Sequence, residues 1–250
     1  MTTRFHLLGQ VRLHDGATGV RGVKPRALLV TLLLQPGHTV SLDSLQEALW
    51  DGEPPRSAVA NIRTHVSALR AALAGTAQLV GRDGGYALLT SVDSCDHLRF
   101  LDASAAGRAA LLTGDADRAI RLLDSALALW DGDRAAVGIP RYGPLFGALA
   151  HLDEERMRVV EDLAEAHLRL SEPRAALRDL TGLLTTEPLR GRSWALRMRA
   201  HHRLGELGEV RRVYRTASAA YRTELGITPD RELRLLYEEL TGGAAPSATA

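Results

Sequence analysis

A chain of 250 residues, 45% hydrophobic and 24% charged, is long enough to bury one or two ordinary cores and has the balance of a folded protein rather than of an extended polymer. Its single cysteine, Cys95, excludes an internal disulfide and a cysteine-rich zinc site, and no stretch resembles a signal peptide or nears the ~18–20 apolar residues of a membrane span, so a cytoplasmic protein without membrane contact is expected. The net charge of +1 excludes little: nine basic residues stand against seven acidic ones in residues 1–93 and twenty-two against twenty-three in residues 94–250.

In chain order, Phe5 to Leu13 alternates as a half-buried strand, and His14-Asp15-Gly16 supplies a turn before a second extended piece ending at Val23. From Pro25 the spacing becomes helical. Leu28, Leu29, Leu32 and Leu33 form a stripe that Pro36-Gly37 ends. Ser41 offers an N-cap to a second helix, with Leu42, Leu45, Ala48 and Leu49 on one side, stopping after Trp50 at Asp51-Gly52-Glu53-Pro54-Pro55.

A third helix is predicted over residues 57–73. Val59, Ile62, Val66, Leu69 and Leu73 share one narrow face at about 100° per residue. The opposite face carries Ala60, Arg63, Thr64, Ser67 and Ala71, with Asn61, His65 and Arg70 towards its margins, and no carboxylate occurs from Ser57 to Leu73. Solvated helices of this length mix both signs, so the absence of acid points to a polyanionic neighbour. Leu79 to Arg82 and Tyr86 to Leu89 then flank Asp83-Gly84-Gly85 as a hairpin. A sheet, three helices and a terminal hairpin, in that order, are the layout of a winged helix-turn-helix, with residues 78–89 as the wing.

From Asp96 to Leu240 the pattern is helical, over 97–112, 116–130, 151–170, 174–186, 191–204, 207–225 and 230–240. Related stretches begin at Gly114, Ser171 and Gly205, the last two at the tetratricopeptide period of about 34 residues. The fold class expected is therefore mainly α with small β: a winged helix-turn-helix domain over 1–93, an all-α tetratricopeptide-like domain over 94–240, and a flexible tail over 241–250.

Several stretches resemble the Streptomyces antibiotic regulatory proteins, which join an OmpR/PhoB-type winged helix to a bacterial transcriptional activation domain. They include Phe5-His6-Leu7-Leu8-Gly9, Lys24-Pro25-Arg26-Ala27-Leu28-Leu29, Leu45 to Trp50, Val66 to Leu73, Gly84-Gly85-Tyr86, Ala126 to Gly132, Glu187-Pro188-Leu189-Arg190 and Glu224 to Pro229. Singly these are weak strings; together, in order across residues 5–240, they are specific. The resemblance implies a pathway-specific activator of antibiotic biosynthesis. It implies binding of double-stranded promoter DNA at direct repeats near the −35 element, two copies side by side, and contact with RNA polymerase holoenzyme including its sigma factor.

On that pattern Arg63 and Thr64 are the leading base readers, followed by Asn61 and Ser67. Arg56, His65 and Arg70 would meet phosphates, and Arg82 resembles the wing arginine that enters the minor groove. Asp51, Glu53 and Arg56 lie in a loop similar to the polymerase-contacting segment of PhoB-like activators. Ala60 and Ala68 depart from the pattern, standing where relatives often carry arginine. The resemblance also leaves no receiver domain ahead of Phe5, so no aspartyl-phosphate switch is expected.

Other functions find less in the sequence. Gly81 to Gly85 lacks the ending of a P-loop, His151 to Glu155 lacks the second histidine of a zinc protease, and no Gly-x-Ser-x-Gly elbow occurs, so neither an enzyme nor a cofactor is expected. His201 and His202 point about 100° apart without a ligand partner, so no metal is expected. Trp50 and Trp130 are expected at helix junctions and Cys95 as a small residue between domains. A tetratricopeptide-type adaptor whose winged domain binds protein, or a repressor with the same DNA-binding domain, remains open on sequence alone.

Overall fold

The computed structural model describes residues 4–13 and 20–242. The turn expected at His14-Asp15-Gly16 and the tail from residue 243 lie outside the described residues. Packing divides the chain into one compact unit of residues 1–103 with 126–156 and a second of residues 104–125 with 157–250. These units do not follow the sequence division at residue 93, since the first takes in segments from both sides of it.

In the first unit the strand expected from Phe5 to Leu13 is instead folded back on itself. β1 (Phe5–His6) pairs antiparallel with β2 (Arg12–Leu13), and Gly9 between them has φ +132°, a conformation that side-chain-bearing residues rarely adopt. The backbone between the two strands is satisfied from elsewhere in the unit. The Leu7 and Leu8 N–H groups donate to the Asp96 carboxylate at 2.9 and 3.1 Å, and Asp96 is 1% exposed. The carbonyls of Leu7, Leu8 and Gly9 accept from the N–H groups of Ala136, Asp131 and Val137 at 2.7–2.8 Å. Phe5-His6-Leu7-Leu8-Gly9 and Trp130-Asp131-Gly132 are thus two sides of one junction. Trp130 stands edge-on to Phe100 at 5.3 Å, with Arg156 over its ring.

α1 (Val23–Leu33) starts two residues before Pro25 and buries every residue from Ala27 to Leu33, so it is a central helix rather than one with a single apolar stripe. α2 (Leu42–Trp50) is capped as expected by the Ser41 hydroxyl, which accepts from the Ser44 N–H at 3.1 Å. α3 (Ala58–Ala72) lies against α1 and α2 through Ile62, Val66 and Leu69, with Leu73 at its end, all buried. Each such side chain contributes about 1.5–3 kcal/mol. The wing consists of β4 (Gln78–Arg82) and β5 (Gly85–Leu89), and β3 (Val40–Ser41) pairs with β5 on the other side, giving the order β3-β5-β4, all antiparallel. β3 has only two residues, too few for alternation to show.

The helical half comprises α4 (Asp96–Leu112), α5 (Ala116–Leu127), α6 (Pro144–Arg169), α7 (Pro173–Thr186), α8 (Gly191–Arg203), α9 (Leu207–Leu225) and α10 (Arg231–Thr241). α6 starts at Pro144 rather than near residue 151, because a proline in the first turn lacks only an N–H that the helix would leave free. In the second unit α7 and α9 begin 34 residues apart, in keeping with tetratricopeptide-like helix pairs. The turn before each is closed in the same way, His167 Nδ1 to Glu172 at 2.8 Å and His201 Nδ1 to Glu206 at 2.7 Å. Trp194, Met198, Val210, Val213 and Tyr237 belong to one of its apolar clusters.

An ionic network runs along α6 in this unit. Buried Glu161 accepts from Arg190 at 2.8 and 3.1 Å and from the Ser193 hydroxyl at 2.6 Å, while Asp162 takes Arg108 at 3.0 Å and Arg192 at 2.7 Å. Burial raises the Glu165 carboxyl, but the guanidiniums of Arg192 and Arg169 outweigh it and hold the group below its ordinary value. A carboxylate depressed in this way adds stability above its unfolded pKa and loses it as pH falls through the folded one. Glu161→Ala is expected to destabilise the chain by about 1–3 kcal/mol in urea unfolding, because it removes the buried acceptor of the half-buried Arg190 guanidinium and of the buried Ser193 hydroxyl. The parent should begin to lose stability once the pH drops below about 4.5.

Candidate nucleic-acid interface

Because Ile62, Val66 and Leu69 turn inward, the helical period turns Ala60, Arg63, Thr64, Ser67, Ala68 and Ala71 outward, and all six are exposed. The middle of this face is made of methyl and hydroxyl groups, with Arg63 and Arg70 along one margin and Asn61 and His65 along the other. Thr64 Oγ1 donates to the Ala60 carbonyl at 3.1 Å, which spends its proton inside the helix and leaves its methyl and acceptor lone pairs for a neighbour. The half-buried Asn61 donates its amide to Ser57 Oγ at 3.3 Å.

Arg70 has a second duty. It is exposed, yet its Nε donates to the Leu79 carbonyl on β4 at 2.9 Å and so ties the wing to α3. Arg82, the last residue of β4, donates through one guanidinium nitrogen to the Gly37 carbonyl at 3.1 Å, and its remaining donors make no hydrogen bond among the described residues. His65 is half-buried; burial and then the Lys24 charge pull its imidazole below the ordinary value, so it is neutral at pH 7 and offers one N–H rather than a charge. Lys24, the sole lysine, stands at this margin with its ammonium 4.5 Å above the half-buried Trp50 ring.

Asp51, Glu53 and Arg56 are all exposed in the loop that leads into α3. Asp51 ends α2 at φ 49°, and the Glu53 N–H returns to the Trp50 carbonyl at 2.9 Å. The loop and the outward face of α3 are therefore continuous through Ser57. Cys95 is buried, and burial followed by the Asp96 charge pushes its thiol up to about 12, which removes it from thiolate chemistry. Among the described residues no group of three or more His, Cys, Asp or Glu is placed to hold a metal, and no helix is long and apolar enough to cross a membrane.

Residues 21–88 match the C-terminal domain of transcriptional regulatory proteins, and residues 95–241 match the bacterial transcriptional activator domain. The transcriptional regulator RedD of Streptomyces coelicolor is 33% identical over 94% of this chain and 69% of its own length. The chain belongs to the Streptomyces antibiotic regulatory protein family. Within that family it is also similar to the regulatory protein AfsR of Streptomyces griseus, 35% identical over 95% of this chain but only 24% of AfsR. The chain thus spans about a quarter of the length of that relative. A solved structure of Mycobacterium tuberculosis EmbR, in complex with a low-affinity phosphopeptide, matches 94% of this chain and 64% of its own with a TM-score of 0.86 and 28% identity. The family's architecture of winged helix-turn-helix and tetratricopeptide-like helical domain is the architecture of this chain.

The two glycines of Gly84-Gly85-Tyr86 do different work. Gly84 has φ +78° with open space where a Cβ would stand, whereas a Cβ on Gly85 would lie 2.0 Å from the Val40 carbonyl oxygen. Gly85→Ala is expected to force β3 away from β5 and cost about 1–3 kcal/mol in thermal unfolding. Gly84→Ala, which meets only backbone strain, should cost less.

Proposed function

We propose that this family member is a sequence-specific DNA-binding transcriptional activator of a secondary-metabolite gene cluster, working in the cytoplasm. In this reading it binds direct repeats near the promoter −35 element as two adjacent copies and recruits RNA polymerase holoenzyme through contacts that include the sigma factor. The observation that carries the reading is the exposed, carboxylate-free face of α3, flanked by a wing that Arg70 ties to it.

The chemistry of that face fits the major groove. Arg63 has the forked donors that match guanine O6 and N7, a pairing that discriminates by about 1–3 kcal/mol. The methyls of Thr64, Ala60 and Ala71 present nothing that would hold a base edge away, and they suit contact with thymine methyls. Ser67 and Asn61 supply hydroxyl and amide groups beside them. Arg56 and Arg70, with the neutral His65 N–H, would reach phosphates on the two sides of the groove and fix its register without reading sequence. Arg82 would exchange its bond to Gly37 for the negative potential of the adjacent minor groove. The exposed loop with Asp51, Glu53 and Arg56 is the surface offered to polymerase. Small residues at Ala60 and Ala68 limit the phosphate contacts of one copy, and pairing on repeated sites raises effective concentration to offset this.

The test is selection of duplexes from a random pool, followed by anisotropy titrations over a range of salt. Arg63→Ala is expected to weaken binding by ~5–150-fold and relax the preference at one base position. Arg82→Ala should weaken all sequences alike and reduce the logarithmic salt slope by about 1. If no duplex is retained even at low salt, the winged domain is a protein-docking module and the proposal fails. Run-off transcription with polymerase then separates activation from repression.

A further inference from the structure

The second unit carries a cleft that DNA recognition by α3 does not use. It opens where the C-terminal ends of α6 and α8 meet the start of α7, has a volume of about 930 Å³, and is lined by Arg169, Arg174, Arg178 and Arg203. Arg169 is anchored by the Leu111 carbonyl at 2.5 Å and by Glu165 at 2.6 Å. The other three make no hydrogen bond and no ion pair among the described residues.

The carboxylates nearby compensate them only in part, Asp179 attracting Arg178 without a hydrogen bond to it. Glu172, the acidic residue of the lining, is held by His167 Nδ1 at 2.8 Å, and Asp179, next to Arg178 in the chain, faces the other nitrogen of the same imidazole at 3.7 Å. The α6 network, in contrast, gives Arg108, Arg190 and Arg192 carboxylates of their own. The start of α7 adds the positive end of a helix dipole to the same space. Like charges gathered in one concavity repel one another, and an anionic occupant relieves the repulsion while gaining forked hydrogen bonds.

The shape selects among anions. Buried Ala175 and half-buried Leu204 give the cleft apolar lining between the guanidiniums. A free phosphate has nothing to lay on that surface, and a duplex presents its phosphates on a convex cylinder that a cleft between helix ends does not admit. An extended peptide suits both features. Arg174 and Arg178 are one turn apart on α7, a separation of about 6 Å, and side chains two residues apart on an extended strand recur at about 6.6 Å. We propose that this cleft docks an extended acidic segment of a partner protein, with carboxylates at alternate positions paired to Arg174 and Arg178.

The experiment uses the full chain and a short labelled peptide with glutamate at every second position, followed by anisotropy at low salt. Saturable binding is expected, with the glutamine version of the peptide at least ~10-fold weaker. The double variant Arg174→Glu with Arg178→Glu should also lose at least ~10-fold, while Arg222→Glu, which does not line the cleft, should lose far less. Both arginines are exposed, and an unchanged circular dichroism melt of the double variant separates loss of docking from loss of fold. Failure of the glutamate peptide to bind, equal binding of the glutamine peptide, or indifference to the double variant would overturn the proposal. So would full competition by millimolar inorganic phosphate, which marks a small-anion site, or a transfer of the arginine dependence from the peptide to non-specific duplex DNA. None of the peptide outcomes depends on whether α3 binds DNA.

Discussion

Unlike the central α1, the amphipathic α3 buries one face only, and that face is claimed by Ile62, Val66 and Leu69, which are at most 1% exposed. Removing any of them from water is worth about 1.5–3 kcal/mol, so the rotation of the helix about its axis is fixed by burial and not by what lies outside. The remaining residues then have no freedom over where they point. Arg63, Thr64 and Ser67 are presented outward because their neighbours in sequence are apolar, and the absence of a carboxylate among them sets the sign of the surface. The wing is positioned relative to this face by backbone geometry at Gly85 and by the Arg70 bond to Leu79, so helix and hairpin behave as one surface.

The remainder of the first unit shows what brings the separated stretches of the chain together. Gly9 admits no side chain because the Asp131 carbonyl oxygen stands 2.2 Å from where its Cβ would be, and Asp96 collects the N–H groups that the folded-back strand leaves over. Phe5 to Gly9, Asp96 and Trp130 to Val137 are far apart in the chain and adjacent in the fold. Their pairing places the segment 126–156 with the winged helix in packing, although residues 95–241 match a single activator domain in sequence. In the second unit the same economy appears twice, as His167 with Glu172 and His201 with Glu206 close equivalent turns.

Much of this was legible in the residues. Periodicity located α3 to within a residue at each end, and the glycines located the wing turn, because both are local effects with a physical cause in a few neighbouring positions. What escaped depended on partners distant in sequence. The strand from Phe5 to Leu13 alternates well, but Asp96 and the loop at 131–137 reward a fold-back that no local pattern announces. β3 exists only because β5 is there to pair with it. The helical spacing begins at residue 151, seven residues after Pro144 opens the first turn of α6. The outward direction of Arg63 and Thr64 could be read from spacing, whereas the bonds that occupy Arg70 and Arg82, and the closeness of Lys24 to His65, needed the tertiary structure.

The central claim is that the methyl-bearing face of α3 lies against base edges, and methyl NMR on the full chain tests it most directly. Titration with a selected duplex should move the resonances of Ala60, Thr64 and Ala71 while those of Ala176 and Ala200, buried in the helical unit, stay in place. A duplex that binds with those three methyls unmoved would contradict the account, whatever the affinity.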